Sequence, residues 1–246
     1  MWSANTGVVR GPGLRRGFAW FFLVLAAMCG AIRPGFAQPA TPPAARTILF
    51  FGDSLTAGYG LEDPATQAFP GLVRRRIDAA AAAEKTPAAA TDAWRVVNAG
   101  LSGETSAGGL RRIDWILRRQ PVDIFVLELG GNDGLRGHSP EVTKQNLQGI
   151  IDKVRARNPS TRIVIAGMQM PASMGDYAAA FAAVFPELAK ANRATLIPFL
   201  LEGVGGRPEL NLDDGFHPNA EGHRLVADTV WKVLEPVLRE PVLREP

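Results

Sequence analysis

Five short apolar runs punctuate the chain, at residues 47–51, 94–97, 122–129, 162–167 and 194–200. Most are rich in β-branched residues and phenylalanine, and their apolarity is nearly continuous rather than alternating. A strand with one wet face alternates, whereas a strand covered on both faces does not. The runs therefore predict strands of a buried parallel sheet. Helical periodicity fills the intervals, at 69–83, 107–119, 140–158, 177–191 and 220–234. Strand and helix in alternation predict an α/β fold with right-handed crossovers. Around Glu84-Lys85-Thr86-Pro87 the alanine-rich flanks predict a frayed helix end and a surface loop.

The two ends depart from this pattern. Residues 1–17 carry Arg10, Arg15 and Arg16 and no acid, residues 18–32 are almost wholly apolar, and Gly35-Phe36-Ala37 is a small-x-small triplet. That is the layout of an export signal over 1–37, with Gln38 as the new N-terminus. The apolar run is shorter than the roughly 20 residues that a membrane span needs, and a retained anchor is the alternative. Arg15-Arg16 resembles a twin-arginine signal, while the strong hydrophobicity suits the general secretory route, so both routes stay open. Residues 38–46 are rich in proline and alanine and predict a linker to a domain over 47–234. At the other end Glu235-Pro236-Val237-Leu238-Arg239 recurs as Glu240-Pro241-Val242-Leu243-Arg244. Its prolines are expected to stop the last helix and leave 235–246 as a disordered tail.

Removal of the signal changes the chemistry on offer. Cys29 is the only cysteine of the 246 residues. The mature chain then has no disulfide, thiol nucleophile or thiolate metal ligand, even in an oxidising compartment. The full chain has 27 basic and 24 acidic side chains; losing four arginines with the signal leaves 23 against 24. A net charge of −1 gives no case for nucleic-acid binding. The remaining length of about 209 residues suits one domain.

Three constellations carry candidate chemistry. Gly52-Asp53-Ser54-Leu55 follows the first strand, where sheets of this kind bind ligands. A serine there is usually a cap or turn residue, and becomes a nucleophile only beside a base. Asp214-Gly215-Phe216-His217 supplies an imidazole with a carboxylate three residues before it; Asp213 is a second possible partner. His138 and His223 read as structural or solvent-facing. Gly103 and Gly131-Asn132-Asp133 follow the second and third strands and offer a backbone N–H and a side-chain amide to an oxyanion. Either loop alone reads as a plain turn. Together, Ser54, Gly103 and Asn132 follow three different strands of one parallel sheet and so arrive at one edge, which the 214–217 loop can also reach.

These blocks, in the contexts FFGDSLTAGYGL, VVNAGLSGETSAGGL, VLELGGNDGLRG and DDGFHPNAEGH, resemble the GDSL/SGNH hydrolases over residues 47–234. The likeness is to their exported thioesterase, lysophospholipase and arylesterase branch. It implies a flavodoxin-like three-layer α/β/α sandwich around a central parallel sheet of about five strands. It also implies Ser54 as nucleophile, His217 as base, Asp214 as its partner, and an oxyanion hole of Ser54, Gly103 and Asn132. No metal or organic cofactor is implied, and the sequence holds no HExxH motif.

The expected substrate is a small-molecule acyl ester or thioester, and the expected enzyme a monomer, periplasmic or secreted, in lipid metabolism. Met170, Pro171 and Met174 are candidate contacts for an acyl chain, since methionine adapts to flexible apolar ligands. Carbohydrate O-acetyl ester hydrolysis is the alternative on the same catalytic set. Two rivals fit less well. Gly100-Leu101-Ser102-Gly103-Glu104 lacks the last glycine of a G-x-S-x-G elbow. A flavin- or phosphate-binding loop over 52–58 would set the Asp53 carboxylate against an anion.

Overall fold

The computed structural model describes residues 45–84 and 94–240. Five strands form one sheet: β1 Arg46–Gly52, β2 Trp94–Gly100, β3 Ile124–Glu128, β4 Arg162–Ala166 and β5 Thr195–Ile197. All pairings are parallel, in the order β2-β1-β3-β4-β5. This is the flavodoxin-like order. Ile48 to Phe51, Ile124 to Leu127 and Ile163 to Ile165 are buried on both faces, which explains their unbroken apolarity. β2 is the exception. It lies at an edge, is only half-buried, and accordingly carries Arg95 and Asn98 among its apolar residues. β5 is shorter than its apolar run because Pro198 has no N–H to continue the ladder.

The principal helices are α3 Phe69–Glu84, α4 Ser106–Leu117, α6 Pro140–Arg157, α7 Asp176–Asn192 and α8 Ala220–Arg239. Short turns of helix, α1 Ser54–Ala57, α2 Pro64–Gln67 and α5 Gly131–Leu135, lie in the loops beyond β1 and β3. The connection from β1 to β2 runs towards one edge, and every later one towards the other. With right-handed crossovers that reversal puts α3 on one face and α4, α6 and α7 on the opposite face. The packing agrees, since α4 lies against α6, α6 against α7, and α3 against α8. The reversal also opens a crevice beyond the carboxyl ends of β1 and β3.

The last helix corrects one expectation. It does not stop at the first proline but runs through Pro236 to Arg239. Proline forfeits one helical hydrogen bond. The spacing of Val230, Leu234 and Val237 nevertheless keeps an apolar stripe against the core, with Val237 buried. Arg162 donates to the Val237 carbonyl, and Arg239 pairs with Glu235 at 2.7 Å. The second copy of the repeat from 241 onward, the expected signal at 1–37, nearly all of the 38–46 linker and the 85–87 loop lie outside the described residues. Among those described, no helix is long and apolar enough to cross a membrane.

Candidate active site

Ser54 opens α1 directly beyond β1. Asp53 caps the turn, accepting from the Leu55 N–H at 3.0 Å, and Gly58 ends it in the left-handed conformation at φ 79°. Ser54 is thereby held 7% exposed at the floor of a cleft.

The second half of the site comes from a loop that folds on itself. Leu212 N–H donates to the His217 carbonyl at 2.8 Å and Asn211 bridges Pro218, so residues 212–217 form a closed turn. Gly215, at φ 74°, takes the left-handed position that the turn requires. Asp214 Oδ1 accepts the N–H groups of Phe216 (2.9 Å) and His217 (3.0 Å), while Oδ2 lies 2.7 Å from His217 Nδ1. His217 Nε2 lies 2.8 Å from Ser54 Oγ. A carboxylate only accepts, so Nδ1 carries the proton and Nε2 is free to accept from the serine hydroxyl. Asp214, not Asp213, is thus the carboxylate that His217 meets. Burial alone would raise the Asp214 pKa, but the N–H donors of His217 and Phe216 and the His217 ring together hold it below its ordinary value. The Tyr59 ring lies 4.6 Å from the imidazole, tilted by 45°.

Two further loops close on the serine. Asn132, in α5, donates its side-chain N–H to Asp53 Oδ2 at 3.1 Å. Gly103 has φ 78°, and a Cβ there would meet nothing within 4 Å, so its backbone faces open space. Its loop is tied to β1 by the Leu101 N–H on the Gly52 carbonyl at 3.0 Å. Arg112 braces the same corner, pairing with Glu104 and donating to the Ala99 carbonyl at 3.0 Å. Asp133 joins the β2 and β3 loops by accepting from the Ser106 hydroxyl (2.6 Å) and N–H (2.8 Å). Ser54, Asn132 and His217 line one cleft; Gly103 stands in the adjoining loop and is not among its lining residues. Ser102, the rival serine, is exposed.

The cleft encloses about 510 Å³, and its walls are mainly apolar: Leu135, Met170, Pro171, Phe199, Leu201 and Phe216. Of the three candidate acyl contacts, Met170 and Pro171 are among the lining residues. Met174 sits in a 3₁₀ turn over Ala172–Met174, outside the lining. Phe199, Leu201 and Phe216 receive no role from sequence, because they look like ordinary loop apolars until β5 and the histidine loop are folded onto the site. Glu128 is another omission; a lone acid ending an apolar strand is the signal that could have found it. Of the other histidines, His138 lies 3.6 Å from Asp133. His223 is buried and accepts the Phe69 N–H at 3.3 Å.

A carboxylate, an imidazole and a hydroxyl in one hydrogen-bonded chain, with an amide donor beside the hydroxyl, can carry acyl transfer. Comparison with known proteins agrees. The model of the GDSL-like lipase/acylhydrolase family matches residues 50–225. Esterase TesA of Pseudomonas aeruginosa is 38% identical over 196 residues, covering 79% of this chain and 90% of the relative. Thioesterase 1/protease 1/lysophospholipase L1 of Escherichia coli K12 is 38% identical over 200 residues, covering 79% and 86%. The crystal structure of a TesA superposes with a TM-score of 0.69 at 37% identity, covering 78% of this chain and 99% of that one. The chain belongs to the GDSL-like lipase/acylhydrolase family.

Proposed function

We propose that this protein is a serine hydrolase that cleaves carboxylic esters and thioesters of acyl chains through an acyl-enzyme, and that it acts outside the cytoplasm as a monomer. The observation that carries the reading is the chain Asp214–His217–Ser54, with contacts of 2.7 and 2.8 Å. Ser54 Oγ adds to the carbonyl carbon while its proton passes to His217 Nε2. Asp214 stabilises the imidazolium. The oxyanion is received by the N–H groups of Ser54 and Gly103 and by the Asn132 amide. Collapse expels the alcohol or thiol, which takes the proton from His217. Water then adds to the acyl-enzyme, passes its proton to the same nitrogen, and the acid leaves as Ser54 regains its hydrogen.

An acyl chain suits the apolar walls of the cleft better than a sugar acetate, which would call for polar walls. Met170, Pro171 and Met174 remain the proposed acyl contacts, with Met170 and Pro171 supported by their place in the lining. The relatives named as an esterase and as a thioesterase and lysophospholipase point the same way. Export is supported by the composition of residues 1–37. The triad side chains all come from one chain, so the proposed chemistry needs no second copy.

The test is hydrolysis of p-nitrophenyl esters from acetyl to palmitoyl by the chain from Gln38 and by its Ser54→Ala variant. Activity in the first, lost in the second and rising with acyl length, is expected. Equal activity in both would remove Ser54 from the mechanism, and a preference for acetyl would turn the substrate towards short O-acetyl esters.

A further inference from the structure

Beneath the Ser54 turn lies a buried acid that the reaction above does not use. Glu128 ends β3, in register with Gly52, and is fully inaccessible to solvent. Its Oε2 accepts from the N–H groups of Asp53 (3.2 Å) and Thr56 (3.3 Å) and from the Thr56 hydroxyl (2.7 Å). One oxygen therefore grips the chain on both sides of Ser54. Gly52 is part of the same arrangement, since a Cβ there would come within 2.4 Å of Glu128 Oε2 and 2.1 Å of Thr56 Oγ1. The other oxygen, Oε1, is buried without a hydrogen-bond partner among the described residues. A polar group placed so deep costs free energy that an apolar side chain at a strand end would avoid.

We propose that Glu128 is a positioning residue for acyl transfer, pinning the turn so that Ser54 Oγ meets His217 Nε2 and the Ser54 N–H faces the oxyanion. The inference rests on the reading of Ser54 as nucleophile. Electrostatics support it. Burial first, and then the Asp53 carboxylate, push the Glu128 pKa well above its ordinary value. Both effects disfavour negative charge on Glu128, so it braces the turn with little opposition to an oxyanion developing above it. Burial also pushes Asp53 up, to about 6; the Leu55 N–H, the Asn132 amide and His217 restrain it, while Asp133 adds to the rise. Those donors favour charge on Asp53 over Glu128, and Asp53 Oδ2 accepts from the Asn132 amide.

The test compares wild type, Glu128→Ala, Glu128→Gln, Thr56→Val and Ser54→Ala. It measures kcat and KM on a p-nitrophenyl ester, the rate of labelling by a fluorophosphonate probe, and the thermal midpoint. A displacement of about 1 Å costs roughly 10²-fold in rate, so Glu128→Ala is expected to lose roughly 10- to 100-fold in both kcat and labelling at nearly constant KM. Glutamine is neutral and its amide oxygen accepts from the same donors, so Glu128→Gln should recover most of that loss. Thr56→Val keeps the shape of the side chain but removes one of three donors, and should lower kcat by roughly three- to tenfold. It decides the matter even where Glu128→Ala does not fold. Wild-type kcat in Thr56→Val, or a folded Glu128→Gln as slow as Glu128→Ala, overturns the proposal. Activity in Ser54→Ala would overturn the nucleophile assignment instead, whatever the Glu128 variants do.

Discussion

Asn132 donates one amide hydrogen to Asp53, which leaves its second for the proposed oxyanion. A donor fixed in advance spends nothing on reorientation when charge develops on the oxygen. Asn132→Ala should therefore lower kcat by roughly 10²–10³-fold. Steady-state kinetics on a p-nitrophenyl ester check this, and a variant as fast as wild type would exclude Asn132 from the oxyanion hole. The motif names Asn132, but its restraint by Asp53 joins residues 79 positions apart and cannot be read from either neighbourhood. Glu128 illustrates the same limit, because its hydrogen bonds go to residues more than 70 positions away.

At the scale of elements, helices meet through single polar contacts that also set pH dependence. His223 of α8 accepts the N–H of Phe69, the first residue of α3, and thereby caps one helix from another. Accepting requires a neutral Nδ1. Burial first, and then the neighbouring His217, lower the His223 pKa to about 4. Between that value and about 6.5, where a free histidine titrates, the unfolded chain binds the proton and the folded one does not. Stability from this group is present above pH 6.5 and falls by about 3 kcal/mol as the pH drops to about 4. Urea unfolding of wild type and His223→Gln across that window should show a shallower loss in the variant; identical slopes would sink the account. The end of α8 yields a second expectation. A chain stopped at Leu234 loses the buried Val237 and its carbonyl contact with Arg162, and should be less stable by about 2 kcal/mol. A chain stopped at Glu240 should melt with the full-length protein. Equal melting of all three would mean that the helix beyond Pro236 contributes nothing.

For the molecule as a whole, the cleft is a product of topology. The order β2-β1-β3-β4-β5 sends the loops after β1, β3, β4 and β5 to one end of the sheet, where they contribute Ser54, Leu135, Met170 and Phe199 to one cavity. On the proposed reading, acyl preference is expected to depend on several loops rather than on one. Met170→Ala should lower activity on long-chain esters roughly tenfold relative to short ones, and by more than Met174→Ala. A panel of p-nitrophenyl esters measures the ratio, and an unchanged chain-length profile in Met170→Ala would remove it from the acyl site.

The sequence by itself determined the α/β class and the identity of the buried strands, because continuous apolarity and helical period are local properties of the chain. It also determined the Asp214–His217 turn, whose hydrogen bonds span only two or three residues. Tertiary structure decided what depends on distant partners. It decided that β2 is an edge strand and that α8 continues through Pro236. It alone brought His217 to Ser54 across 163 residues of chain, and set Glu128 beneath the serine. The reason is physical: burial and charge coupling act through space, and the chain order records neither until the sheet has formed.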